Sequence, residues 1–566
     1  MNLSQQRRLT MVIIGMVFAS VIIVGRLIAF QLIQGEHWRD LGQEVQLVNV
    51  VDRPERGLIY DRNGAVLAGN SADYQIGVSP ALVNKPNEIA TDLAPILQQS
   101  RYDILNELES DASYVLLSGR VSSDVADAIR ALNYDDLQID ALPRRIYPQG
   151  ELMCHSLGYV DFNNNGGGGL EGYYQTELAG EAANDIRSIS PLTPQLGTMA
   201  REGADLVLTI DRSIQYTVEQ NLAWALQEFG AQSGSIIVMD PRTGAILAMA
   251  ALPCYSPYDF YEADQSVLIN PLVSQQYEPG SVMKLITMAA ALDSGTVTPQ
   301  STYYDSGVFE LGGHRTYNWD RSGPGQTDMT TLLARSLNVG AATIASWMGA
   351  DTYYTYMERF NFGRPTGIDL YSEAGGTMFL PGSEYWTESF LATNAYGQGI
   401  ATTPLQMITA ISALANDGYL MQPYLVKEIR TNERVYVHEP TVLSRPVSAE
   451  TAHQLTAMAV TAVRQEVFEA QIEGFTIAGK TGTAEIPENG VYLEDATIAS
   501  FVGWLPADDP ELIVFVKLDR PTTEPWGSLT AAPTFARLVR ELVVMLNIPP
   551  DAVRLQADVL QLRDGN

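Results

Sequence analysis

Ser281 and Lys284 stand three residues apart in Tyr277-Glu278-Pro279-Gly280-Ser281-Val282-Met283-Lys284, ahead of an apolar run from Leu285 to Leu292. Residues i and i+3 share a helix face, so the two side chains should meet if a helix starts near Ser281. That helix is apolar nearly all round, which predicts burial. Burial strips water from an ammonium and lowers its pKa. An amine so tuned can take the proton of a neighbouring hydroxyl, which makes the pair a nucleophile and its base. A helix N-terminus at Ser281 also offers backbone N–H groups and the positive end of the dipole to an oxyanion. The chemistry is acyl transfer by a serine with a lysine base. The short pattern alone is more often accidental than catalytic.

Two downstream patterns bear on it. Ser336-Leu337-Asn338 follows the helical stretch Thr330 to Arg335. An i, i+2 pair splays apart on a helix, so a shared site for Ser336 and Asn338 requires a turn between two helices. The bland alternative is a polar N-cap before Val339. Lys480-Thr481-Gly482-Thr483 reads as part of a strand, with Gly482 small enough to let a ligand backbone come close. Strict alternation puts Lys480 on the face opposite Thr481 and Thr483. The sequence does not say how all three reach one site. The chain has five lysines against thirty arginines. If the identity of the base were indifferent, both pattern positions would be lysine only about once in fifty.

The elements that must position these groups are legible in outline. Gly234 to Met239 reads as a buried strand, Asp240 to Gly244 as its turn, and Ala245 to Met249 as the returning strand. A strand near 203–211 and a helix from Ser213 to Phe229 precede it. Together they suggest an α/β sandwich with a central antiparallel sheet. Upstream, Asp61-Arg62-Asn63-Gly64 has hairpin-turn chemistry between Leu58-Ile59 and Val66-Leu67. Asn163 to Gly169 is a glycine-rich loop with no phosphate-binding pattern around it.

With 566 residues, the chain should hold roughly two to four domains. A net charge of −31 makes nucleic acid an unsuitable partner and otherwise favours solubility. The two cysteines, Cys154 and Cys254, are left open as free or paired. The five histidines show no metal-ligand spacing, and none is placed to suggest a serine triad. No metal or cofactor is expected. Arg7 and Arg8 precede an apolar stretch from Met11 to Ile33, interrupted by Arg26. At about 22 residues this can span a bilayer, with the N-terminus inside. The alternative is a signal peptide, which the length and the lack of a small-residue cleavage site disfavour.

In order and spacing, Ser281-x-x-Lys284, Ser336-x-Asn338 and Lys480-Thr481-Gly482-Thr483 resemble the penicillin-binding protein and serine β-lactamase superfamily. The likeness extends over nearly the whole chain. Arg56-Gly57 to Ala68, Arg145 to Pro148 with His155 to Val160, and Gly169 to Glu171 look like class B penicillin-binding proteins. Asp519 to Pro521, Trp526 to Ser528 and Ala531 to Phe535 look like the division-type branch, with the elongation-type branch close behind. The tract from Leu252 to Phe260 lacks an asparagine common in the family, without consequence for the chemistry.

The resemblance implies an α+β fold: an α/β sandwich preceded by a strand-rich pedestal and one transmembrane helix. The implied division is a cytoplasmic N-terminus at 1–10, anchor at 11–33, pedestal of the dimerisation type at 34–203, transpeptidase at 204–548 and tail at 549–566. It implies that Ser281 attacks the penultimate D-alanine carbonyl of a peptidoglycan stem peptide, with Lys284 as base and Ser336 and Asn338 assisting. Lys480, Thr481 and Thr483 would hold the terminal carboxylate, and the N–H groups of Ser281 and Thr483 would meet the oxyanion. It further implies acylation by β-lactams, residence in the plasma membrane, and partnership with a polytopic glycan polymerase and other division proteins. A β-lactamase would need a deacylating carboxylate, and no such segment follows Ser336. A D,D-carboxypeptidase would use the same residues with water as acceptor. A non-catalytic scaffold or β-lactam sensor would not need every reactive residue intact.

Overall fold

The strand Ser233–Met239 is apolar on both faces: Ile236 and Val238 enter one buried cluster, Ile237 and Met239 another. Such a strand belongs inside a sheet covered on both sides. The computed structural model, which describes residues 3–29, 31, 34, 47–52, 54–181, 183–188, 201–488 and 491–556, places it there. Its sheet has five antiparallel strands in the order Ile246–Leu252, Ser233–Met239, Leu512–Asp519, Val491–Leu505, Ala478–Glu488. Helices Arg212–Phe229 and Ala531–Met545 cover one face. Helices Met283–Asp293 and Pro404–Ser412 pack in the cluster on the other. This is the expected α/β sandwich, and Ala478–Glu488 is its edge strand.

The chain divides into two compact units, 1–56 with 179–203, and 57–178 with 204–566. In the first, Leu3–Ile28 is a helix, and its stretch Leu9–Ile28 has mean hydropathy 2.5 over 20 residues, enough to cross a bilayer. Leu47–Asp52 pairs antiparallel with Ala183–Ser188. Residues 30, 32 and 33 of the expected span, Arg53, and tail residues 557–566 lie outside the described residues.

The expected pedestal, 34–203, is thus shared between the units, because its middle joins a sheet with the catalytic module. That seven-stranded sheet runs Val435–Val437, Val426–Arg430, Asp205–Leu208, Ile59–Tyr60, Val66–Val78, Val115–Val121, with Leu137–Ile146 also on Val66–Val78. Asp205–Leu208 lies parallel to Ile59–Tyr60 and antiparallel to Val426–Arg430. A disulfide joins Cys154 to Cys254 across 100 residues, with Cα atoms 6.3 Å apart, which answers the pairing left open above.

Candidate active site

The turn carrying Ser281 is made by sterics. Gly280 has φ +58°, and a Cβ there would come within 3.0 Å of Thr483 O. Gly280–Val282 is one turn of 3₁₀ helix that runs into Met283–Asp293. Ser281 is therefore in the tight turn just before the α-helix. From Val282 to Leu292 every residue is buried. Gly280 N–H donates to Gly397 O (3.0 Å), and Gly397, at φ +87°, passes so close that a Cβ would sit 2.1 Å from Gly280 O.

Lys284 is 1% exposed. Its Nζ lies 2.8 Å from Ser281 Oγ, 2.8 Å from Ser336 O, 3.1 Å from Ser336 Oγ and 2.6 Å from Asn338 Oδ1. The Ser336 carbonyl and Asn338 Oδ1 can only accept, because Asn338 Nδ2 is turned away to donate to Tyr317 O. A neutral amine has two N–H bonds, which those acceptors take, and one lone pair, which is left for the Ser281 hydroxyl. Burial, and then the charge of Lys480, hold the Lys284 pKa well below 10.5.

The Ser336-Leu337-Asn338 turn meets the stated requirement. Helix Met329–Ala334 ends, Ser336 adopts φ +56°, and Asn338–Met348 begins. The new helix is braced from outside: Asn318 Oδ1 accepts from Val339 N–H (3.1 Å), while Asn318 Nδ2 donates to the buried carboxylate of Asp305.

Lys480, 2% exposed, does sit on the face opposite Thr481 and Thr483. It reaches Thr481 because Ala478–Glu488 is an edge strand, so a four-carbon stem can pass round it. Its Nζ is 3.0 Å from Ser336 Oγ, 3.3 Å from Thr481 O and 3.4 Å from Thr481 Oγ1. Burial brings its pKa to about 7, and Glu466 opposes that fall. Ser336 Oγ thus lies between two amines. Thr483 Oγ1 accepts from Gly527 N–H (3.1 Å). At Gly482 the space a Cβ would fill is taken by Ser500 Oγ (2.3 Å) and Val282 Cγ2 (2.8 Å). Pro279 O lies 3.1 Å from the same point, so the serine turn and Ser500 of the neighbouring strand both pack against Gly482.

Ser281, Ser336, Asn338, Thr481 and Thr483 open onto one cleft of about 330 Å³, with Lys284 and Lys480 buried behind them. Trp319, Arg335, Tyr396, Gln398, Glu466 and Trp526 complete its walls, none of them predicted as site residues. Trp526 had a signal, as did Ser528 on the same wall, since both lie in a tract carrying the resemblance. No histidine lines the cleft. Cys154, His155 and Cys254 have metal-ligand proximity, but none lines the cleft and the two sulfurs are joined.

A family model described as penicillin binding protein transpeptidase domain matches residues 234–540, and one described as penicillin-binding protein dimerisation domain matches 51–202. Among curated relatives, Stage V sporulation protein D of Bacillus subtilis is 33% identical over 569 residues, covering 97% of this chain and 87% of its own. PbpB of Mycobacterium tuberculosis is 30% identical over 542 residues, covering 89% and 79%. Among solved structures, penicillin binding protein 3 of Mycobacterium tuberculosis complexed with aztreonam aligns at TM-score 0.70 and 26% identity, covering 88% of this chain and 98% of that one. Penicillin binding protein 2X of Streptococcus thermophilus shares the fold at TM-score 0.76 and 24% identity, covering 88% and 80%. The sandwich, the buried amine beside a turn serine and these matches agree: the chain belongs to the class B penicillin-binding proteins, enzymes of the transpeptidase class.

Proposed function

We propose that the protein is a membrane-anchored D,D-transpeptidase that cross-links peptidoglycan stem peptides through an acyl-enzyme on Ser281, in septal wall synthesis. The observation that carries this is the 2.8 Å contact between Ser281 Oγ and a Lys284 amine whose two N–H bonds are already committed. Ser281 Oγ attacks the penultimate D-alanine carbonyl and its proton passes to Lys284. The N–H groups of Ser281 and Thr483 receive the oxyanion. Collapse breaks the C–N bond, and terminal D-alanine leaves with a proton from Ser336 Oγ, which Lys284 replaces. An amine of a second stem peptide then attacks the ester and gives a proton to Lys284, which passes it to Ser281 Oγ as the ester C–O bond breaks, restoring the hydroxyl and the neutral amine. Lys480, Thr481 and Thr483 hold the terminal carboxylate, and β-lactams acylate the same serine.

The Leu9–Ile28 helix and the arginines before it support a single-pass anchor with the N-terminus inside and the 204–548 transpeptidase module outside. Resemblance supports a polytopic glycan polymerase as partner. The likeness to a sporulation protein supports a second reading, wall synthesis in sporulation. The test is labelling with a fluorescent penicillin. Ser281→Ala and Lys284→Arg should both abolish the label, and an adduct surviving in Ser281→Ala refutes the assignment. Filaments on depletion support the septal role, round cells elongation, and a defect confined to spores the second reading.

A further inference from the structure

Glu278 precedes Ser281 by three residues and takes no part in the proton transfers above. Its carboxylate nevertheless touches two segments that each continue into a wall of the cleft. Gly399 N–H donates to Oε1 (2.8 Å), and Tyr492 O–H lies 3.2 Å from Oε1 and 3.0 Å from Oε2. Gly399 ends the loop whose Tyr396 and Gln398 line the cleft. Tyr492 lies on the strand paired with Ala478–Glu488, at the outer end of the hairpin that carries Thr481 and Thr483. The backbone follows the same path: Tyr277 bridges Thr402 through N–H···O contacts of 2.9 Å in both directions, and Gly280 N–H reaches Gly397 O. Gln398 Nε2 also donates to Glu485 Oε2 (3.2 Å) on the hairpin.

We propose that Glu278 is a positioning residue for acylation, a clasp that fixes the Ser281 turn against the Tyr396–Gln398 wall and the Lys480–Thr483 hairpin. It rests on the reading of Ser281 as nucleophile. Two features favour a clasp over an incidental surface contact. The carboxylate is mostly withdrawn from water and lies near a second carboxylate, Glu485, both of which push its pKa up, so its placement is unfavourable in itself. Its partners also come from two elements far apart in sequence, so it fixes geometry that the local chain cannot. An error of about 1 Å in a reacting group can cost a hundredfold in rate.

The test measures the limiting acylation rate and the pre-acylation dissociation constant for a fluorescent penicillin on the full chain. Glu278→Ala should lower the rate about 10- to 100-fold. Glu278→Gln, whose amide oxygen still accepts from Gly399, should recover to within about threefold of wild type. Tyr492→Phe should fall between, and adding it to Glu278→Ala should cost nothing more. Glu219→Ala serves as the control: it removes a half-buried carboxylate bonded to Met153 N–H outside the cleft, so it destabilises the fold while leaving the rate unchanged. The clasp is overturned if Glu278→Ala acylates within threefold of wild type, if Glu278→Gln is as slow as Glu278→Ala, or if Glu219→Ala slows acylation equally. Wild type that forms no adduct sinks the Ser281 reading instead, and the clasp with it.

Discussion

Lys284→Met is the sharpest perturbation, because methionine keeps the apolar stem and removes only the amine. The structural cost is modest. Asn338 Oδ1 and Ser336 O each lose a donor, about 1–3 kcal/mol apiece, and removing an amine that is costly to bury offsets much of this. The protein should therefore fold. The catalytic cost is larger. A positioned base contributes about 10²–10⁴ in rate, so we expect a fall of about 10³, equivalent to about 4 kcal/mol of barrier. The assay is single-turnover acylation by a fluorescent penicillin across pH, with intact mass as a check. The base must be neutral to act, so wild-type activity is lost as pH falls through the lowered Lys284 pKa and levels off above it. The variant's residual rate should climb with hydroxide and show no plateau. A variant that keeps a tenth of the wild-type rate, or retains the plateau, refutes Lys284 as base.

Lys480→Met should stabilise the fold while abolishing turnover. A lysine whose pKa drops from 10.5 to about 7 costs folding on the order of 4 kcal/mol at neutral pH, fully present below pH 7 and vanishing as pH climbs to 10.5. The gap in urea midpoint between variant and wild type should close over that window, and a variant less stable at pH 7 contradicts it. Gly397→Ala should impair acylation more than Gly482→Ala, since the first meets backbone at 2.1 Å with a strained φ while the second first meets the rotatable Ser500 hydroxyl at 2.3 Å; equal rates from soluble proteins would argue otherwise. Replacing Cys154 and Cys254 together by alanine should lower unfolding free energy by about 2–5 kcal/mol, the upper end being what chain entropy gives for a loop of 100 residues. A loss under 1 kcal/mol in chemical denaturation counts against a stabilising tie.

What could be read ahead of the structure was whatever a short segment decides by itself. Ser281 meets Lys284 because helical spacing requires it, and the turn at Ser336 was demanded by the need to bring Asn338 round. The sandwich followed from strands apolar on both faces and a buried helix. Lys480 was opaque for a different reason: its reach depends on Ala478–Glu488 being last in the sheet, a fact about strand order that the strand's own residues do not carry. The packing of Val282 against Gly482 was equally hidden, because the two are 200 residues apart in the chain. The walls of the cleft come from loops and helix ends whose only shared property is where they end up, so neither Trp319, Arg335 nor Glu466 had a local signal. Glu278 was visible as a residue, but its partners Gly399 and Tyr492 were not.

The strand Asp205–Leu208 sets an order of assembly. Leu58 N–H waits for Asp205, 147 residues later, and the Thr209 backbone N–H waits for the Leu425 carbonyl, 216 residues later. A chain made from its N-terminus first therefore carries open strand edges for most of its synthesis, and closes them only when residue 430 has emerged. Such long-range pairing is slow to form and prone to capture by other chains meanwhile. A fragment starting at residue 234, however intact its reactive groups, would strand Val426–Arg430 without its neighbour, so recombinant enzyme should begin upstream of Gly57 if it is to stay monodisperse.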